Sequence, residues 1–276
     1  MFKKALKITK LIFQMAIVML MGFAISLGIH ISIKEALSPP TPAELKSLDN
    51  ISSDLDAKEA NVVKRSRNSI LQVLSGRQGM DGFAKMSGTY VTRKDKFYVI
   101  TAAHGIMGEC DHFYVATSDS GVYECIRYIV VNKGVDYAII EIEEVPHRVA
   151  LKLSTLRASN RMRKQELSVL TDVFYTGYPN SLGPLTFRGA VAGLSRENYI
   201  YLHSYAWPGS SGAGVFSYNG HMIGIVIALN VGLTSAGYDV LEDLVIVTPL
   251  FKIDWELVYG TMEEPEPLAD TGDTAE

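Results

Sequence analysis

Three short stretches carry residue types that together could perform acyl transfer. The first is Trp207-Pro208-Gly209-Ser210-Ser211-Gly212-Ala213-Gly214-Val215. A serine hydroxyl set among glycines can stand on a tight turn, with neighbouring backbone N–H groups converging on the oxygen of an attacked carbonyl. Alone the pattern is weak, because a Gly-x-Ser-Gly arises by chance in about one chain in ten of this length. The second stretch is Thr101-Ala102-Ala103-His104-Gly105, and the third is Val135-Asp136-Tyr137-Ala138-Ile139-Ile140. They add a base and an acid upstream, in the order His, Asp, Ser.

Imidazole has an unperturbed pKa close to neutrality, so His104 suits a general base. The small residues Ala102 and Ala103 leave room beside it. A histidine that merely ends a strand is the plainer alternative. Asp136 heads an apolar strand. A carboxylate pointing inward there needs a hydrogen-bonded partner, and a histidine N–H fits that need. Otherwise Asp136 follows the Lys133-Gly134 turn and faces water. Glu141 and Asp172 are fallback acids.

The elements that must hold these residues read as strands. Ile70–Leu74, Gly88–Arg93, Phe97–Ala103, His112–Thr117, Val122–Val131 and Tyr137–Ile142 are short and rich in Val, Ile, Tyr and Thr. A connection from Glu143 to Glu166 follows. A second set comprises Leu167–Tyr178, Leu185–Gly193, Tyr199–His203, Ala213–Tyr218, Met222–Leu229 and Leu244–Pro249. Asn219-Gly220 is a strong hairpin signal between two of them. Leu250 to Tyr259 reads as an amphipathic helix stopped by Gly260. The expected fold is all-β: two six-stranded antiparallel barrels with a short C-terminal helix, preceded by one transmembrane helix.

That helix is expected over residues 11–33, an apolar run without formal charge that is long enough to cross a bilayer. Lys3, Lys4, Lys7 and Lys10 precede it, so the positive-inside rule leaves the N-terminus in the cytoplasm and the rest outside. A cleaved signal peptide is the alternative, although the run exceeds a typical h-region. The expected organisation is an anchor (1–36), a stalk rich in Pro, Ser, Asp and Lys (37–67) and a folded domain (68–260). Within that domain the barrels span about 68–143 and 167–249. A disordered acidic tail (261–276) ends the chain. A short helix within the stalk is placed at Pro42–Leu48 or around Asp56–Val63.

With 276 residues, 47% apolar, 20% charged and a net charge of −4, nothing points to nucleic acid. The cluster Arg157, Arg161, Arg163 and Lys164 reads as a solvated loop, since no aromatic is interleaved. Cys110 and Cys125 are too few for a disulfide framework. They flank a hairpin, where a bridge and two reduced thiols are both open readings. Neither has metal-ligand spacing, so no metal or other cofactor is implied.

Residues from Ser69 to about Val258 resemble the chymotrypsin-like serine peptidases, closest to the HtrA-type and viral branches. The residues that carry the resemblance are His104 in TAAHG, Asp136 in DYAII and Ser211 in GSSGAG, with Gly177-Tyr178-Pro179 and Thr186 to Val191 as supporting segments. The resemblance implies that His104 is the base, Asp136 its orienting acid and Ser211 the nucleophile, with the N–H groups of Gly209 and Ser211 as oxyanion donors. It also implies that Tyr205, Ala206, Ile227, Ala228 and Leu229 line the substrate pocket. None of these is acidic, so an apolar or small residue is expected before the cut, with protein or peptide substrates. Ser210 stands where trypsin has aspartate, and no trypsin-like activation start is present. Within this sequence no segment of PDZ size follows the domain. Oligomeric state is left open. Two rival readings are a viral polyprotein protease and a non-catalytic peptide-binding module on the same fold.

Overall fold

The apolar periodicity resolves into strands in the computed structural model, which describes residues 55–79, 81–118, 121–158, 167–234 and 237–263. For residues 228–234 and 237–242 only the backbone is described. Helix α1 (Ala57–Asn68) comes first. Strands β1 (Ile70–Ser75), β2 (Ala84–Arg93), β3 (Lys96–Thr101), β4 (Phe113–Ala116), β5 (Val122–Asn132) and β6 (Tyr137–Ile142) follow. They hydrogen-bond in the order β1-β4-β5-β6-β3-β2, and antiparallel pairing of β1 with β2, from Ile70↔Thr89 to Ser75↔Ala84, closes the ring. A two-residue strand, β7 (Leu151–Lys152), adds in parallel to β2, followed by helix α2 (Leu153–Ala158).

The second barrel is built from β8 (Asp172–Gly177), β9 (Leu185–Leu194), β10 (Ile200–His203), β11 (Gly214–Ser217), β12 (Met222–Thr234) and β13 (Gly237–Pro249), closed in the order β10-β13-β12-β11-β8-β9. The two six-stranded antiparallel barrels and the closing helix α3 (Trp255–Glu263) agree with the sequence-based fold. At Asn219-Gly220 the expected hairpin forms, with Gly220 at φ +78° and its N–H bonded to Ser217 O at 2.8 Å.

Strand β6 shows how the barrels join. All six of its residues are buried. Ala138, Ile140 and Ile142 face the interior of the first barrel with Val73, Val99 and Phe113. On the opposite face, Tyr137 and Ile139 pack with Phe174 and Phe216 of the second barrel and with Trp255 and Val258 of α3. Burying one such isoleucine contributes about 1.5–3 kcal/mol. A strand apolar on both faces therefore belongs between two cores, and Asp136 sits at its entrance.

Several boundaries differ from expectation. Helix α3 starts at Trp255 because the Asp254 carboxylate caps it, accepting from Leu257 N at 3.0 Å. It also runs through Gly260 to Glu263, which carries Met262 into a buried position. Leu250–Lys252 is a separate 3₁₀ turn. Upstream, Asp56 caps α1 by accepting from Lys58 N and Glu59 N. Val62 enters the inter-barrel core, Ser66 Oγ donates to Thr176 Oγ1 at 2.8 Å and Glu59 pairs with Arg188 at 3.2 Å. The folded unit thus reaches upstream of Ser69, into the segment read as stalk.

Cys110 and Cys125 are disulfide-bonded, with Cα atoms 5.4 Å apart and a sequence separation of 15. Constraint of a loop that size stabilises by about 3 kcal/mol in the chain-entropy model. Reduction is expected to lower the denaturant midpoint accordingly. An unchanged midpoint under reducing conditions would mean that the β4–β5 pairing alone holds the loop.

Among the described residues no helix is long and apolar enough to cross a membrane. The apolar run 11–33, the stalk residues up to 54, the cations Arg161, Arg163 and Lys164 and the acidic tail from 264 lie outside the described residues.

Candidate active site

His104 lies just past the end of β3, in a 3₁₀ turn spanning Ala103–Gly105. Ala102 and Ala103 are fully buried while the imidazole is half exposed. Asp136 reaches it from the turn before β6. One carboxylate oxygen, Oδ1, accepts from the His104 backbone N–H at 2.8 Å, and the other, Oδ2, lies 2.8 Å from ring Nδ1. Two bonds to one residue fix the carboxylate's orientation as well as its position. Accepting the ring N–H also holds the imidazole above its ordinary value of 6.5, against burial, which pulls it down. With the proton on Nδ1, the Nε2 lone pair is free to accept another.

The turn that presents Asp136 is unusual backbone, with Asp136 itself at φ +64°. Asp tolerates this region better than most residues. Asn132 Oδ1 accepts from Val135 N at 2.9 Å inside the turn, and Thr248 Oγ1 of β13 donates to Val135 O at 2.9 Å. The second barrel therefore braces the acid that the first barrel carries.

Ser211 lies in the turn leading into β11. Ser210 N–H donates to Trp207 O at 2.9 Å, and Ala213 N–H donates to Ser210 O at 3.1 Å. Gly209 takes φ +97°, where a Cβ would overlap Tyr178 O. Pro208 O accepts from Asn180 N at 2.6 Å. Because a trans peptide directs its C=O and N–H oppositely, the Gly209 N–H points away from Asn180. Among the described residues neither the Gly209 N–H nor the Ser211 N–H donates to a protein acceptor. Two unpaired donors two residues apart can receive one substrate oxygen.

The Ser211 hydroxyl donates to Ile227 O at 3.3 Å, and among the described residues it makes no hydrogen bond with His104. The two residues share one seam nonetheless. Gly212 packs on Thr101, the residue at the end of the strand leading to His104.

The expected pocket residues divide. Tyr205 is 57% exposed and stacks on Trp207, which in turn meets Phe187. Ala206 is buried in the core of the second barrel, and Ile227 belongs to the inter-barrel cluster. The Ala228 and Leu229 side chains lie outside the described residues; their backbone runs along β12 beside β13. Among the described residues no three potential ligands gather as a metal site.

Ser87 was not legible as part of this site. It is fully buried in β2; its N–H donates to Ser211 O at 2.8 Å, and its hydroxyl donates to Gly209 O at 2.7 Å and accepts from Tyr178 N at 2.9 Å. The available signal was Ser87-Gly88-Thr89, a small polar run inside a strand, where glycine marks close backbone approach.

Two barrels with an Asp–His pair and a glycine-rich serine turn at their junction define a chymotrypsin-like architecture. The chain belongs to the family of the trypsin-like peptidase domain, whose model matches residues 86–225. Among solved structures it is similar to the serine endoprotease from Yersinia pestis, at 17% identity and TM-score 0.55, over 72% of this chain and 65% of that one. It is also similar to the HtrA-type protease AlgW, in a variant with a tripeptide, at 18% identity and TM-score 0.56, over 74% of this chain and 64% of that one. The chain thus spans just under two thirds of either protein. Comparison with curated protein sequences finds no significant match.

Proposed function

We propose that the protein is a serine endopeptidase using Ser211 as nucleophile, His104 as general base and Asp136 as the acid that orients it. The observation that carries this reading is the two-point bond of Asp136 to the His104 backbone and ring. Ser211 Oγ attacks the scissile carbonyl while its proton passes to His104 Nε2. The tetrahedral oxyanion is received by the Gly209 and Ser211 N–H groups. The imidazolium then protonates the leaving amine, and water hydrolyses the acyl-enzyme by the same route in reverse. Rotation about χ1 releases the hydroxyl from Ile227 O.

No acid stands among Tyr205, Ala206 and Ile227, and the exposed Tyr205–Trp207–Phe187 aromatic surface is apolar. Both features support cleavage after apolar or small residues rather than after Arg or Lys. An anchor at residues 11–33 would place the domain on the outer side of a membrane. The Cys110–Cys125 bridge supports that placement, since disulfides persist in oxidising compartments.

Treating the full chain with a fluorophosphonate and mapping the adduct tests the nucleophile. A single adduct on Ser211 is the expected result, and an adduct on another serine would assign the chemistry elsewhere. One observation favours a second reading, a non-catalytic peptide-binding module: the Ser211 hydroxyl bonds to Ile227 O and not to His104. Peptide binding without turnover and without labelling would decide for it.

A further inference from the structure

We infer that Ser87 is a positioning residue for the oxyanion site, its hydroxyl holding the Gly209 peptide so that the Gly209 N–H stays turned toward the substrate oxygen. The inference rests on the peptidase reading of Ser211.

Gly209 Cα joins two peptide planes, and each is held by its carbonyl. Pro208 O is bonded by Asn180 N–H at 2.6 Å, and Gly209 O by the Ser87 hydroxyl at 2.7 Å. A glycine has no Cβ to limit its rotation. Its conformation at φ +97° is therefore set by these two bonds and by the Ser210 N–H to Trp207 O bond of the turn. With one plane released, the glycine gains access to orientations in which its N–H no longer faces the site. The two holding groups are themselves linked. Ser87 Oγ accepts from Tyr178 N at 2.9 Å, two residues before Asn180. One hydroxyl thus connects β2 of the first barrel, the β8–β9 connection and the nucleophile turn. Its own carbonyl is fixed by Thr101 Oγ1 at 2.7 Å, so the serine has little freedom to adjust.

The competing role is purely structural: a buried serine that satisfies two backbone groups and ties the barrels together. The two roles separate by experiment. Ser87→Ala removes the hydroxyl but leaves the Ser87 N–H bond to Ser211 O in place. Ser66→Ala removes another buried hydroxyl, the one donating to Thr176 Oγ1 at 2.8 Å, without touching Gly209.

In the full chain, hydrolysis of fluorescein-labelled casein and the rate of fluorophosphonate labelling are measured for wild type and variants. Ser87→Ala is expected to lower kcat about 10- to 100-fold, less than loss of an oxyanion donor itself. KM should stay within about two-fold and the ascending pH limb should not move, because His104 is untouched. Labelling should slow in parallel, since the phosphonyl oxygen occupies the same site. Ser87→Cys, which keeps a weak donor, should recover part of the rate. An unchanged kcat in Ser87→Ala, an equal loss in Ser66→Ala or a displaced pH limb would overturn the positioning role. A wild-type chain that is neither labelled nor active would instead overturn the peptidase reading, and the inference with it.

Discussion

Replacing Asp136 with asparagine is expected to lower kcat/KM about 10⁴-fold while leaving the fold intact. The loss follows from the two bonds at this site. His104 N–H donates to Asp136 Oδ1, so an asparagine keeps that bond only by placing its amide oxygen there. Its NH₂ then faces Nδ1, which must accept instead of donate. The ring proton moves to Nε2, and the atom that the proposed mechanism uses as base no longer has a lone pair. Ionisation changes as well. In the wild type the bond from the ring to Asp136 holds His104 above 6.5, so kcat/KM should rise with pH through a midpoint above that value as the imidazole loses its proton. Asp136→Asn removes the main cause of that elevation, so its residual activity should rise at lower pH. Stability moves in a definite direction too. A group whose pKa is raised by folding stabilises below its unfolded value, and the contribution is lost as pH rises through the folded one. The variant should therefore lose more stability near about pH 6 than near about pH 9. An Asp136→Asn chain that keeps more than about a tenth of wild-type kcat/KM would exclude Asp136 from this role.

What the sequence could reveal was whatever is written in neighbouring residues. Strand β6 is legible because Tyr137-Ala138-Ile139-Ile140 before Glu141-Ile142 is a short run, rich in Ile and Tyr and bounded by Asp136 and Glu143, which suits a strand buried on both faces. The Asn219-Gly220 hairpin is legible for the same reason, a local backbone demand met by a local pair. His104 and Asp136 could be proposed as partners because each sits at a strand boundary among small or apolar residues. Ser87 could not, because its partners lie at 91 and 122 positions' separation, and nothing around Met86-Ser87-Gly88 indicates which turn will dock there. Helix α1 was half legible. Its cap at Asp56 is local, whereas its attachment through Glu59 to Arg188 and Ser66 to Thr176 is not. The disulfide stayed undecided for a related reason, since spacing permits a bridge but only the fold brings the two Cα atoms to 5.4 Å.

Gly212→Ala is expected to destabilise the fold by roughly 2–5 kcal/mol and to abolish labelling of Ser211 in whatever fraction remains folded. Gly212 stands at φ +90°, a conformation that resists any side chain, and a Cβ there would overlap the Ser87 carbonyl oxygen and Thr101 Oγ1. The crowding results from the function proposed for the seam. Strand β2 must come close enough for Ser87 N–H to reach Ser211 O at 2.8 Å and for Thr89 Oγ1 to reach Gly212 O at 3.4 Å. The backbone carbonyl that a methyl would strike is fixed by Thr101 and cannot swing aside as a flexible side chain could. Gly193→Ala is the matching control, since a Cβ there meets nothing within 4 Å and Gly193 has no positive φ. Denaturant midpoints of the two variants, read with fluorophosphonate labelling, separate the cases. Should Gly212→Ala prove as stable as Gly193→Ala, the barrels cannot approach at this turn as closely as described. The route by which Ser87 holds Gly209 would then be lost as well, because both depend on the same contact between β2 and the Gly209–Gly212 turn.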